Sequence, residues 1–173
     1  MNNIYLVGFM GTGKSSVAKN LMNLLPCKIV EMDSAIEALA CMPIPQIFEK
    51  MGEKSFRDME SMLLTEIAKE KNQIVSCGGG VILRQENIDT MKNSGTVIRL
   101  NASAKTIYDR TVGNENRPLL ADKKSVEDIE KMMAQREEFY QKAAEYTVDC
   151  DTMSPAEIAA EIVKILALNG LLV

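Results

Sequence analysis

The chain has 173 residues, 46% of them hydrophobic, and carries a formal net charge of −4 with a pI near 5.0. That length predicts one domain with a good-sized core. The acidic balance argues against a general nucleic-acid or anionic-membrane binder, whose affinity comes from an extended basic face, so any anion site must be a local cluster of arginines.

In chain order, an apolar run at 4–7 predicts a first strand, and it runs directly into Gly8-Phe9-Met10-Gly11-Thr12-Gly13-Lys14-Ser15. A helical pattern follows over 16–25, with Val17, Ala18, Leu21, Met22 and Leu25 on one face and Pro26 as a stop. A second strand at 28–32 ends at Asp33, placing a carboxylate at the strand edge where ligands bind in open α/β sheets. Helical patterns then cover about 34–40, 44–51 and 55–70, broken by Pro43 and Pro45, and read as a helical insertion. A third strand at 73–76 leads into Gly78-Gly79-Gly80. Helix, strand and helix follow at 85–92, 96–100 and 104–111. The polar segment 112–124, crowded with Gly113, Asn114, Asn116, Pro118 and Asp122 around Arg117, reads as a lid or binding loop. Ser125 with Asp128 opens a long helix to about residue 142, and a last strand at 146–148 precedes a helix marked by Ser154, Pro155 and Glu157 as a capping box. Five strands alternating with helices predict a parallel sheet covered on both faces.

The Gly-x-x-x-x-Gly-Lys-Ser stretch between a strand and a helix reads as a phosphate-binding loop. Glycines let the backbone curl so that successive N–H groups, over Gly11, Thr12, Gly13 and on into Ser16, converge on phosphate oxygens at the positive end of the following helix. Lys14 supplies a cation for the outer phosphates, and the Ser15 hydroxyl is the expected protein ligand of the Mg²⁺ that accompanies ATP. The alternative is a glycine-rich turn without nucleotide. The chain contains no histidine, so carboxylates, lysine and a metal must do the work of proton transfer and charge neutralisation. Four scattered cysteines with no CxxC pair argue against zinc and disulfide frameworks and fit a reducing cytosol. No signal peptide or membrane span is expected.

Two further features are open to two readings each. Arg57 is either a solvated partner of Glu60, one turn away, or a fork of donors for a substrate carboxylate. The triple glycine is either a flexible turn or a place where backbone N–H groups approach a small molecule closely. Arg110 and Arg117 bracket the polar loop, and Arg117 suits a lid that closes over phosphates. Arg136, taken alone, reads as a surface residue, and the twelve methionines as core filler.

Together these residues resemble the shikimate kinase family, small P-loop enzymes of the nucleoside-monophosphate-kinase fold, over nearly the whole chain. The resemblance rests on Gly8 through Ser16, Asp33 with Ile36-Glu37, Ile47-Phe48, Gly52-Glu53, Phe56-Arg57 through Glu60, Gly78-Gly79-Gly80, Arg117-Pro118-Leu119-Leu120, Arg136, and Val148-Asp149 with Pro155. It implies a three-layer α/β/α domain over 1–173, substrate-binding helices at about 33–61 and a mobile lid at about 112–124. It implies phosphorylation of the 3-hydroxyl of shikimate by ATP with Mg²⁺, in aromatic amino-acid biosynthesis. A cytoplasmic location is expected from the cysteine usage, and a monomer is the default expectation. By the same resemblance, Asp33 grips ring hydroxyls, while Arg57, Arg136 and the Gly78–Gly80 backbone hold the ring carboxylate. Arg110 and the 149–155 turn flank adenine, and Arg117 belongs to the lid. One departure stands out: the family usually has Asp-x-Asp after strand two, and this chain has Glu31-Met32-Asp33. The rival readings are a gluconate or nucleotide kinase of the same fold and a nucleotide-dependent regulator without turnover.

Overall fold

The computed structural model describes residues 1–111 and 125–172. Arg117 and the lid expected at 112–124 lie outside the described residues. Among the described residues, five strands form one parallel sheet: β1 (Asn3–Val7), β2 (Lys28–Glu31), β3 (Gln73–Ser76), β4 (Gly95–Asn101) and β5 (Tyr146–Asp149), in the order β2-β3-β1-β4-β5. The helices are α1 (Lys14–Met22), α2 (Met32–Ala40), α3 (Ile44–Ile67), α4 (Gln85–Ser94), α5 (Ala104–Thr111), α6 (Val126–Ala143) and α7 (Pro155–Leu168). A 3₁₀ turn at Val81–Leu83 follows the triple glycine.

The alternation of side chains along β1 builds the layers. Ile4 and Leu6 face a cluster completed by Val17 and Leu21 of α1, Ile107 of α5 and Ile158 and Ile162 of α7. Tyr5 and Val7 face the other, with Leu64 of α3, Ile88 and Met91 of α4 and Tyr140 of α6. All five residues of β1 are buried, as expected for the centre of a parallel sheet covered on both sides. A third cluster, Ile36, Ile47 and Phe56, lies between α2 and α3 and gives that helical pair an apolar seam of its own.

Three boundaries differ from the sequence expectation in ways that matter for the site. β2 stops at Glu31 and the fully buried Met32 begins α2, so Asp33 sits on the first turn of a helix beyond the strand edge. The patterns at 44–51 and 55–70 join into α3, interrupted at Gly52, whose φ of 82° and ψ of 165° break the helix within otherwise continuous pairing. α1 ends at Met22, and tight turns at Asn23, Leu24, Leu25 and Cys27 carry the chain past Pro26. The capping box on α7 forms as read: the Ser154 hydroxyl accepts from the Glu157 N–H, and the Glu157 carboxylate accepts from the Ser154 N–H.

Candidate active site

The carboxyl ends of β1, β2 and β3 open onto a cavity of about 520 Å³. On its first wall is the glycine loop. Gly11 and Gly13 hold φ of 83° and 93°, a region that favours glycine, and Gly13 is the N-cap of α1. The Lys14 ammonium lies over the loop, donating to the carbonyls of Gly8 at 2.8 Å and Phe9 at 3.1 Å. Ser15 and Ser16 line the cavity from the first turn of α1. Thr12 is the exception in the motif: it is buried, and both its hydroxyl, at 2.9 Å, and its N–H, at 3.3 Å, donate to the Phe9 carbonyl. It closes the loop from within. Arg110, at the end of α5, clips the loop from outside, donating to Gly11 and Thr12 carbonyls at 3.3 Å and to Cys150 O at 3.4 Å.

The second wall holds the carboxylates of β2 and α2. The Ser15 hydroxyl donates to Glu31 Oε2 at 2.8 Å and lies 3.4 Å from the Ser76 hydroxyl. The other Glu31 oxygen, Oε1, is buried with no hydrogen-bond partner among the described residues. Asp33 is exposed on the cavity side. The third wall is α3 against the triple glycine. Arg57 is only 8% exposed and donates to Glu60 Oε2 at 2.6 Å and Glu53 Oε1 at 3.3 Å. The pairing expected of a surface arginine therefore exists, but out of water and facing the cavity. A side chain on Gly78 would meet Glu60 Oε1 at 2.6 Å and Asp33 Oδ1 at 3.0 Å, so glycine is what lets these carboxylates approach the loop. Arg136, half-buried on α6, also lines the cavity, with Nη1 3.4 Å from the Gly79 carbonyl and its guanidinium over the Phe9 ring.

Two opposing effects act on Glu60. The 2.6 Å contact with Arg57 favours the charged carboxylate, yet burial raises its pKa overall, helped by the nearby Asp33 charge. Burial prevails because Oε1 has no hydrogen bond to replace water. Burial likewise pushes the Cys77 thiol up, which makes it an inert packed group.

Thus Lys14, Ser15, Asp33, Arg57, Gly78–Gly80, Arg110 and Arg136 are brought to one cavity. The residues alone had not singled out Glu60 as buried, the tilted Phe48 and Phe56 rings 4.9 Å apart on the cavity wall, or Tyr140 behind Gly79. For Tyr140 a signal existed in its position one turn beyond Arg136 on a predicted helix.

A phosphate cradle at the carboxyl edge of a parallel sheet, sharing one cavity with a carboxylate and two arginines, defines a P-loop kinase. The comparisons narrow the class. The shikimate kinase family model matches residues 10–167. The shikimate kinase of Thermodesulfovibrio yellowstonii is 40% identical over 164 residues, covering 95% of this chain and 94% of that protein. The solved structure of the shikimate kinase from Acinetobacter baumannii in complex with shikimate superposes with a TM-score of 0.94 at 33% identity, over 99% of this chain and 96% of the other. That from Aquifex aeolicus does so with a TM-score of 0.82 at 31% identity, over 98% of each. The chain belongs to the shikimate kinase family, whose members phosphorylate shikimate at the expense of ATP.

Proposed function

We propose that this chain transfers the terminal phosphoryl group of ATP to the 3-hydroxyl of shikimate, giving shikimate 3-phosphate and ADP. The observation that supports it most is the pairing within one cavity of a phosphate loop with Asp33, Arg57 and Arg136, an acceptor for hydroxyls and two cations for an acid. A relative of the same fold has been solved with shikimate bound. In this reading the backbone N–H groups of Gly11, Gly13 and Ser16 and the Lys14 ammonium hold the phosphates. Arg110 flanks the nucleotide base. Asp33 accepts from the ring hydroxyls and helps remove the proton of the attacking one, a task for which this chain has no histidine. Arg57, Arg136 and the Gly78–Gly80 backbone hold the ring carboxylate, so that catalysis is chiefly positioning and electrostatics. Residues 1–173 act as one catalytic domain, with 33–61 as acceptor-binding helices, and the enzyme works as a cytoplasmic monomer.

The residues present fit a divalent cation. The Ser15 hydroxyl and Glu31 carboxylate already touch, and Glu31 keeps a buried oxygen without a partner. Among the described residues no group of three or more Asp, Glu, His or Cys converges on one metal position. That suits Mg²⁺, which is held by one or two protein oxygens together with substrate phosphates. Held there by Ser15 and Glu31, such an ion would supply neutralisation of charge on the phosphates.

A coupled assay of ADP release tests the reading. Shikimate should stimulate ADP release, and gluconate and nucleoside monophosphates should not. Stimulation by one of those alone overturns the acceptor assignment, and no stimulation by any favours a regulator without turnover.

A further inference from the structure

Behind the acid end of the cavity lies a buried side chain with no part in the chemistry above, Tyr140 of α6. It is 2% exposed, and its hydroxyl donates to the Gly79 carbonyl at 2.7 Å. The same oxygen is 3.4 Å from Arg136 Nη1, one helical turn earlier. One carbonyl thus joins the triple glycine to the helix that carries the arginine, and the tyrosine makes the shorter of the two bonds. Glycines 78–80 have no side chains with which to fix their own backbone, so they need an anchor from elsewhere in the fold. Among the described residues there is no cis peptide bond, and in a trans peptide the N–H points opposite to the C=O. Holding the Gly79 oxygen therefore directs the Gly80 N–H away from Tyr140.

The anchor is itself held. The Arg99 guanidinium of β4 lies over the tyrosine ring, 5.1 Å from its centroid. Arg99 is 8% exposed and donates to both Glu137 oxygens, at 2.8 and 2.6 Å, and to Asn101 Oδ1 at 3.1 Å. Burial pushes the Tyr140 hydroxyl up to about 12, so it keeps its proton and remains a donor at neutral pH.

We propose that Tyr140 is a positioning residue for the acceptor site: by pinning the Gly79 carbonyl it sets the Gly79–Gly80 amide and the Arg136 guanidinium for the acceptor's carboxylate. This rests on the shikimate reading above. A purely structural role would affect the fold and both substrates alike. A positioning role acts through the carboxylate.

Tyr140→Phe removes the hydroxyl and keeps the ring beneath Arg99. Loss of one buried hydrogen bond predicts a KM and a calorimetric Kd for shikimate raised about five- to tenfold, with KM for ATP within about twofold of wild type. Shikimate methyl ester, which lacks the carboxylate charge, should bind both proteins equally. An unchanged shikimate affinity, equal losses for ATP and shikimate, or an equal loss for the ester overturns the assignment. Should Tyr140→Phe fail to fold, Arg99→Gln loosens the ring without removing the hydroxyl. It should raise KM for shikimate by about two- to fourfold with the ester again unaffected, and no rise overturns the assignment. Wild-type enzyme without shikimate-dependent ADP release would overturn the substrate reading and this assignment with it. Wild type that turns over shikimate beside an indistinguishable Tyr140→Phe overturns the assignment alone.

Discussion

Arg57 and Glu60, one turn apart on α3, form a 2.6 Å ion pair whose side chains are only 9% and 1% exposed. A pair this deep is a poor source of stability, because removing two charges from water offsets most of their attraction. Its value lies in holding a guanidinium oriented and partly desolvated at the cavity wall. Arg57 Nε remains buried without a partner among the described residues, as does Glu60 Oε1.

Glu60 makes the stability of the fold depend on pH. The folded pKa of Glu60 is raised, chiefly by burial, above the ordinary glutamate value of 4.5. The folded state therefore holds this proton more tightly than the unfolded state. The stability it contributes is fully present below the ordinary value and is lost as pH rises through the raised one. As pH rises above the ordinary value, wild type should lose stability relative to Glu60→Gln, whose side chain does not titrate. Urea midpoints of both proteins across that rise check it. Parallel curves would refute the raised pKa.

Gly80 tests how tightly the loop and the arginine fit. A Cβ there would lie 2.5 Å from Arg57 Cζ, and Arg57, walled in by Glu60, has little room to retreat. Gly80→Ala should raise KM for shikimate at least about tenfold, since misplacing a binding group by an ångström can cost that much or more. ATP affinity, measured by calorimetry, should change by less than about twofold because the glycine loop at 8–15 is on another wall.

Arg136→Ala separates the two ends of the cavity in the same way from α6. Its guanidinium is beside Gly79, so KM for shikimate should rise far more than KM for ATP, by about tenfold or more for a lost charge-assisted contact. Equal effects on both substrates in steady-state kinetics would count against its place at the acid end.

Much of this site was legible because its parts obey local rules. The Gly8–Ser15 spacing, the strand before it and the helix after it are consequences of backbone geometry, as is the Ser154–Glu157 capping box. Asp33 was found as a residue but misplaced by an element: apolar Met32 continued the strand pattern, while in the fold it is a fully buried first residue of α2. Arg57 and Arg136 could not be told from surface arginines by periodicity, since their burial is created by the approach of the Gly78–Gly80 loop from a distant strand. The same holds for Tyr140, whose partner oxygen is 61 residues away in sequence.

Glu31 offers a test of the metal site. Its Oε2 accepts from Ser15 while Oε1 is buried and unmatched, a donor set short of one cation. Glu31→Gln should weaken the Mg²⁺ dependence of ATP binding by about tenfold, the lower end of what loss of a supporting carboxylate costs. Titrating Mg²⁺ into enzyme with ATP by calorimetry reads this without turnover. An unchanged midpoint would show that Glu31 serves only to orient Ser15.

Gly52 separates backbone strain from packing. Its φ of 82° and ψ of 165° lie where side chains are rarely tolerated, yet a Cβ there would have no heavy atom within 4 Å. Gly52→Ala should therefore cost about 1–3 kcal/mol purely through the backbone, with no clash to relieve. A lower urea midpoint with unchanged slope is the expected result. If the cost is near zero, α3 must have straightened to let alanine into the helical region. Because Ile44 and Phe48 reach the cavity from before the break and Arg57 from after it, such straightening would shift the two groups relative to one another. KM for shikimate would then rise while stability did not fall, so stability and KM together distinguish a strained break that holds from one that yields.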